Sequence, residues 1–63
     1  MQKITTDQAR AIRRKRADLM LSISELSNTI NISRWTLSKI EHGDCFVKPS
    51  IYSKVMEWLV KDY

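Results

Sequence analysis

Three residue types are scarce in this chain, and each scarcity excludes a class of structure. The 63 residues include one cysteine, one glycine and one proline. A single cysteine excludes an internal disulfide and suits a cytosolic setting. So few turn-forming residues favour helices over a fold rich in strands. No apolar run approaches the roughly 20 residues of a membrane-spanning helix, and the first ten residues, MQKITTDQAR, lack a hydrophobic signal segment. We therefore predict a cytoplasmic protein that does not enter membranes.

The residues needed for catalysis are scarce as well. The single histidine, His42, has no evident nucleophile to activate, and the lone cysteine cannot form a zinc site by itself. No glycine-rich phosphate loop is present. We therefore expect no enzyme activity, no metal or other cofactor, and no small-molecule ligand.

The composition that remains is that of one small soluble domain, which we assign to residues 1–63. A hydrophobic fraction of 43% and a charged fraction of 29% allow a compact core. The net charge of +4 is uneven, because residues 1–16 carry an excess of five positive charges and residues 17–63 one excess negative charge. The basic character therefore belongs to the first helix.

The segment SISELSNTINISRWTLSKIEHG, residues 22–43, has the pattern of a helix-turn-helix. Ser22 followed by Glu25 predicts a capping box at the start of one helix. Asn31 tolerates the left-handed conformation of a turn, Ser33 can cap the next helix, and a glycine ends it. The inward positions are Ile23, Leu26, Ile30, Ile32, Leu37 and Ile40.

Two more helices flank this segment. Thr5 and Gln8 form a second capping box, which predicts a first helix from about Thr6 to Met20. Its apolar face consists of Ala9, Ile12, Leu19 and Met20, with Arg16 among them. Pro49 opens the last helix, since proline is tolerated in a first turn. The core face of that helix consists of Tyr52, Val55, Met56, Leu59 and Tyr63, widened by Ile51 and Trp58.

Residues 44–48 are predicted to form a loop between the third and fourth helices. Cys45, Phe46 and Val47 are too apolar for this loop to stand free in solvent. We expect Phe46 to plug the core and Cys45 to be a small core residue.

These residues together resemble the Cro/CI type of helix-turn-helix. The matching positions are Arg16, Leu21, Ser22, Glu25, Leu26, Asn31, Ile32, Ser33, Leu37, Ser38, Lys39, Ile40, Glu41, Gly43, Pro49 and Ser50. The resemblance implies an all-α, compact Cro/CI-like helix-turn-helix domain of four helices, or five if the family's additional helix were present. It also implies a buried salt bridge between Arg16 and Glu41.

Within this family, the chain is similar to the small modulators of repression of temperate phages of lactic-acid bacteria. That likeness implies an antirepressor of the lysis-lysogeny switch in the bacterial host cell. Its partner would be the N-terminal DNA-binding domain of a CI-type repressor, whose operator binding it would block or modulate. The alternative is a Cro-like protein that binds operator DNA directly through its recognition helix, alone or in a joint complex with the repressor.

The predicted partner-binding or DNA-binding face consists of Ile23, Ser24, Asn28, Arg34, Trp35, Ser38, Lys39 and His42. Ile23 stands where the family usually has a glutamine that grips a phosphate. Arg34 suits guanine, whereas the indole of Trp35 has one donor and a large apolar face. The segment is neutral by count, because two basic residues offset two acidic ones. A neutral face with an aromatic residue favours a protein partner.

Several positions allow two interpretations. Trp35 is either an outward anchor of the kind common at interfaces or a side chain packed on a neighbouring helix. Arg34 is either solvated or in contact with a partner, and Ile23 is either exposed or tucked beside Leu26. In the run RRKR, residues 13–16, Arg16 is structural and the other three are interpreted as a solvated face that raises association rates.

Overall fold

A computed structural model describes residues 1–61 of the chain. Within them lie four helices and two short strands, in the order β1 (Gln2–Ile4), α1 (Thr6–Asp18), α2 (Ile23–Thr29), α3 (Arg34–His42), β2 (Cys45–Val47) and α4 (Pro49–Val60). The prediction of a small helical domain with four helices is confirmed, and the strands are a minor addition. None of the helices in this part of the chain is long and apolar enough to cross a membrane. The predicted core position Tyr63 lies outside the described residues.

The helix starts follow from local capping. Thr5 and Ser22 each accept a hydrogen bond from the backbone N–H three residues later, and the side chains of Gln8 and Glu25 bond back to the cap N–H groups. Both predicted capping boxes are therefore confirmed. Ser33 Oγ accepts from the N–H of the third residue of α3 in the same way.

The turns that end α1 and α2 share one geometry. Met20 and Asn31 both have a left-handed backbone, with φ of 57° and 58°. The N–H of the residue after each donates to a carbonyl five residues earlier, at 3.0 and 2.9 Å, which is the Schellman arrangement. The prediction for Asn31 is confirmed. The prediction that Met20 belongs to α1 and to its core face is wrong, because α1 ends at Asp18 and Met20 is 88% exposed.

The predicted loop at residues 44–48 is instead half of a small antiparallel sheet. β1 pairs with β2 so that Lys3 faces Phe46 and Ile4 faces Cys45. Side chains alternate along a strand, so Cys45 and Val47 point into the core and Phe46 points out, with 55% of its surface exposed. Cys45 is buried as predicted, and the prediction that Phe46 plugs the core is wrong.

The core lies where α1, α3 and α4 meet. α1 packs against both α3 and α4, α2 packs against α3, and α4 also covers β1. The fully buried side chains include Ile4, Ile12, Leu26, Leu37, Ile40 and Val55. Half-buried residues of α4 add to this core, among them Ile51, Tyr52, Met56, Trp58 and Leu59. This packing leaves one face of α2 and α3 open to solvent.

Candidate recognition face

The eight residues predicted to meet a partner lie on α2 and α3, on a surface that we call the recognition face. Six of them are exposed: Asn28, Arg34, Trp35, Ser38, Lys39 and His42. Ile23 and Ser24 are half-buried. The structure brings six of the eight to two adjoining shallow depressions, one at the start of α3 and one at its end, while Asn28 and Lys39 line neither. Ile23 and Ser38 line both, so they form the middle of the face.

Trp35 is the largest exposed apolar group on the recognition face. Its side chain points outward with 77% of its surface exposed, which excludes the interpretation that it packs on a neighbouring helix; its role as an interface anchor stays a prediction. Lys39, one turn further along α3, holds its Nζ 5.9 Å from the centre of the Trp35 ring. This distance lies within the range of a cation–π contact. The lysine therefore covers one part of the indole and leaves the remainder free for a partner.

Arg34 connects the start of α3 to α2. Its Nη1 donates a hydrogen bond of 3.3 Å to the hydroxyl of Ser24. A guanidinium carries five N–H donors, so this bond orients Arg34 without using up its capacity to bind. The exposed arginine is held where it can reach a carboxylate, a phosphate or the edge of a guanine.

Ile23 is half-buried, so the interpretation that it packs beside Leu26 holds for part of its side chain. Its side chain packs against the core cluster that contains Leu26, and the remainder is open to both depressions. An apolar side chain at the first position of α2 cannot donate to phosphate oxygens. The depression at the start of α3 is therefore apolar where Ile23 and Trp35 lie.

A bidentate ion pair lies behind the recognition face. Arg16 Nε and Nη2 donate to the two carboxylate oxygens of Glu41 at 2.7 and 3.0 Å, and Arg16 Nη1 donates to the carbonyl of Leu21 at 3.1 Å. The Glu41 side chain is only 7% exposed. The hydrogen bond to Glu41 raises the pKa of Arg16 above its ordinary value, although burial opposes the rise. This is the pair that the family resemblance implies.

The ion pair changes the charge of the recognition face. Because Glu41 is buried and bound to Arg16, it does not offset the exposed basic residues of α3. Arg34 and Lys39 are both exposed, with Glu25 as the exposed acidic residue of the segment. The neutral charge counted along the sequence therefore does not carry over to the surface, which is positive by one charge.

The basic run at residues 13–16 does not form one solvated face. Lys15 is 6% exposed and donates to the backbone carbonyls of Trp58 and Leu59, with Nζ 4.8 Å from the Trp58 ring centre. Arg13 donates to the backbone carbonyl of Glu41 and lines the second depression. The solvated interpretation is wrong for Lys15, and Arg13 is a site residue that the sequence analysis missed. Its position three residues before Arg16, on the same side of α1, was the available signal.

The polar chemistry of this part of the protein is internally satisfied. Every buried side-chain nitrogen and oxygen within residues 1–61 has a hydrogen-bond partner. No group of three or more histidine, cysteine, aspartate or glutamate residues within the same range is placed to hold a metal ion. What the recognition face offers a ligand is therefore an exposed indole, hydroxyl groups and the donors of basic side chains.

Comparison with known proteins agrees with this geometry. A family model described as helix-turn-helix, of the Cro/CI type, matches residues 12–53. The match begins in α1, includes α2, α3 and β2, and ends within α4, so it covers most of the chain. No significant match was found among curated proteins or among solved structures. On this match, the chain belongs to the Cro/CI-type helix-turn-helix family of DNA-binding transcription regulators.

Proposed function

We propose that this chain is an antirepressor of a phage genetic switch. In this proposal, the recognition face binds the N-terminal DNA-binding domain of a CI-type repressor over its DNA-reading surface. The repressor's own recognition helix then cannot enter the major groove of the operator, and repression is lifted. The observation that carries the proposal is the outward position of Trp35, in the depression that it lines together with Ile23.

The chemistry of this apolar centre suits a protein better than DNA. Ile23 has no side-chain donor and an indole has a single N–H, so the two residues together can supply at most one hydrogen bond to the acceptors of phosphates and base edges. Tryptophan and arginine are the residues most enriched among interface hot spots, which typically cost at least about 2 kcal/mol when truncated. Trp35 and Arg34 are adjacent and exposed on this face. Burial of the indole against an apolar pocket would therefore supply a large share of the binding energy.

The surroundings of Trp35 supply the polar rim of such an interface. The hydroxyl groups of Ser24 and Ser38 line the same depression. Glu25, exposed at the start of α2, can pair with the basic groups that a repressor uses to meet phosphate. Lys39 would be repelled by a basic partner surface. Its contact with the Trp35 ring allows its charge to stay at the edge of the interface.

Direct binding to operator DNA is the second candidate, and one observation favours it. Because Glu41 is bound to Arg16, the exposed basic groups Arg34 and Lys39 are offset by Glu25 alone, and the face carries one excess positive charge. An arginine can bind guanine through two hydrogen bonds, and a lysine can bind phosphate. In that case Ser38 and His42 would contact the DNA beside them.

A mixing experiment separates the two candidates. The purified chain, the DNA-binding domain of a CI-type repressor from the same genome, and operator DNA are combined in pairs and all together. We expect the chain to bind the repressor domain and to reduce its occupancy of the operator. Trp35→Ala should weaken the complex about 30-fold or more, which corresponds to about 2 kcal/mol. Phe46→Ala is the matched control, because Phe46 is exposed but lies on the sheet.

The proposal fails if the chain alone binds operator DNA tightly and forms no complex with the repressor domain. Direct binding through about 6–10 phosphate contacts should weaken by about 10³–10⁵ between 50 and 200 mM salt. An interface centred on Trp35 should change far less over the same range. Unchanged circular dichroism and melting of Trp35→Ala are needed for either conclusion, and the exposure of this side chain makes them the expected result.

A further inference from the structure

The last turn of α3 is held from outside by two arginines of α1. Arg13 donates through Nη1 to the backbone carbonyl of Glu41. Arg16, three residues later on α1, binds the carboxylate of the same glutamate. The backbone carbonyl and the carboxylate of Glu41, near the end of α3, are therefore both bound by α1.

The backbone contact satisfies a group that a helix cannot satisfy itself. The last four carbonyls of an α-helix have no intrahelical donor, and Glu41 is next to last in α3. The C-terminal end of a helix also carries a partial negative charge, which a cation stabilises. Arg13 supplies both a donor and a positive charge at this point. Its role there resembles that of a helix cap contributed by another helix.

This contact lies beside the recognition face. Arg13 lines the second depression together with Ile23, Ser38 and His42. α3 has only 9 residues, so its last turn is a large part of the helix and includes His42. Any loosening of the carbonyl contact would let the end of α3 move relative to α2, whose first residue forms the other wall of the depression.

We propose that Arg13 is a positioning residue for the recognition face, acting through the carbonyl of Glu41 to hold the last turn of α3 in its binding orientation. This inference rests on the proposed function for its partner. Arg14 is the natural comparison, because it is also exposed, adjacent and positively charged.

Amide hydrogen exchange tests the positioning without any partner. Arg13→Met removes the donor and the charge but keeps the aliphatic stem, and Arg14→Met removes the same charge one residue away. We expect exchange of the amides at residues 40–43 to quicken about tenfold in Arg13→Met and to stay unchanged in Arg14→Met. Amides in the middle of α1 should be unaffected in both. Equal exchange at residues 40–43 in the two variants would overturn the inference.

Titration then tests whether the position matters for binding. With the repressor domain as the probe, Arg13→Met should weaken binding about tenfold relative to Arg14→Met, equally at 50 and 200 mM salt, because positioning is not screened. A loss that shrinks at 200 mM salt means a direct charge contact with the partner and overturns the inference. Faster exchange with unchanged affinity also overturns it.

The two proposals fail in different ways. If the unmodified chain does not bind the repressor domain, the antirepressor function is wrong, and operator DNA replaces it as the probe in the same titration. Faster exchange in Arg13→Met, together with a loss of affinity relative to Arg14→Met that is the same fold at 50 and 200 mM salt, then still supports Arg13 as the positioning residue. A chain that binds neither probe overturns both.

Discussion

Replacement of Arg16 by methionine tests the ion pair that joins α1 to α3. Arg16→Met keeps a long apolar side chain but removes two hydrogen bonds to Glu41, of 2.7 and 3.0 Å, and one of 3.1 Å to the carbonyl of Leu21. The carboxylate of Glu41 would remain with 7% of its side chain exposed and without its cation. A buried charge left alone is among the most destabilising changes a protein can undergo.

The expected loss of unfolding free energy in Arg16→Met follows from the burial of the ion pair. Loss of one partner from a buried ion pair costs about 3–5 kcal/mol. Arg16 is 24% exposed, so water reaches one side of the site, and we lower the expected loss of unfolding free energy to about 2–4 kcal/mol. The total free energy of unfolding of a domain of this size is about 3–9 kcal/mol. The melting temperature should therefore fall by roughly 10–30 °C.

Urea unfolding, followed by circular dichroism, measures this loss. Arg14→Met is the control for charge, since Arg14 is exposed on the same helix. The double variant Arg16→Met/Glu41→Leu should recover most of the loss, because an apolar pair can replace a buried ion pair at little cost. If Arg16→Met lies within about 0.5 kcal/mol of Arg14→Met, the pair behaves as a surface contact and the reasoning is refuted.

The pH dependence of this loss has a definite sign. The hydrogen bond to Glu41 raises the pKa of Arg16 in the folded state. A group with a raised folded pKa contributes its full stability below its unfolded pKa and loses it as the pH rises through the folded value. For arginine both pKa values lie far above the range in which proteins are ordinarily studied. The difference between Arg16→Met and the unmodified chain should therefore be equal at pH 7 and pH 9.

Three further substitutions test other contacts of the fold by urea unfolding. Gly43→Ala should cost about 1–3 kcal/mol, because Gly43 has φ of +84° and an added Cβ would lie 3.2 Å from the Cα of Thr6; an unchanged midpoint would contradict this geometry. Lys15→Met should cost about 1–3 kcal/mol by removing the Nζ donor of the backbone carbonyls of Trp58 and Lys61, and amide exchange at the end of α4 as slow as in the unmodified chain would argue against it. Phe46→Ser should lower the free energy of unfolding by less than about 1 kcal/mol, since Phe46 is half exposed. A loss above about 2 kcal/mol would mean that Phe46 is part of the core.

The local features of this fold were predictable because their causes lie within a few residues. The capping boxes at Thr5 and Ser22, and the left-handed Asn31, each depend on hydrogen bonds that span three to five positions. Met20 was missed because it adopts the same left-handed turn without being one of the residue types that favour it. A methionine there looks like one more apolar helix position.

The small sheet was not predictable from either of its strands. β1 and β2 are about forty positions apart in the chain and three residues long each. A strand of three residues is too short for an alternating pattern to be distinguished from an apolar loop. Only the pairing of Lys3 with Phe46 decides that Phe46 points outward.

The sequence by itself determined the helix-turn-helix and the residues that share its outer surface, since the helical period places them on one side. The tertiary structure decided which of those groups are exposed and how they are charged. Trp35 is exposed because no element of the described structure packs over it. Glu41 does not contribute charge to the surface because it is buried and bound to Arg16 of another helix. The physical reason is that a period assigns a residue to a face of its helix, whereas burial and ion pairing depend on the neighbour that this face meets.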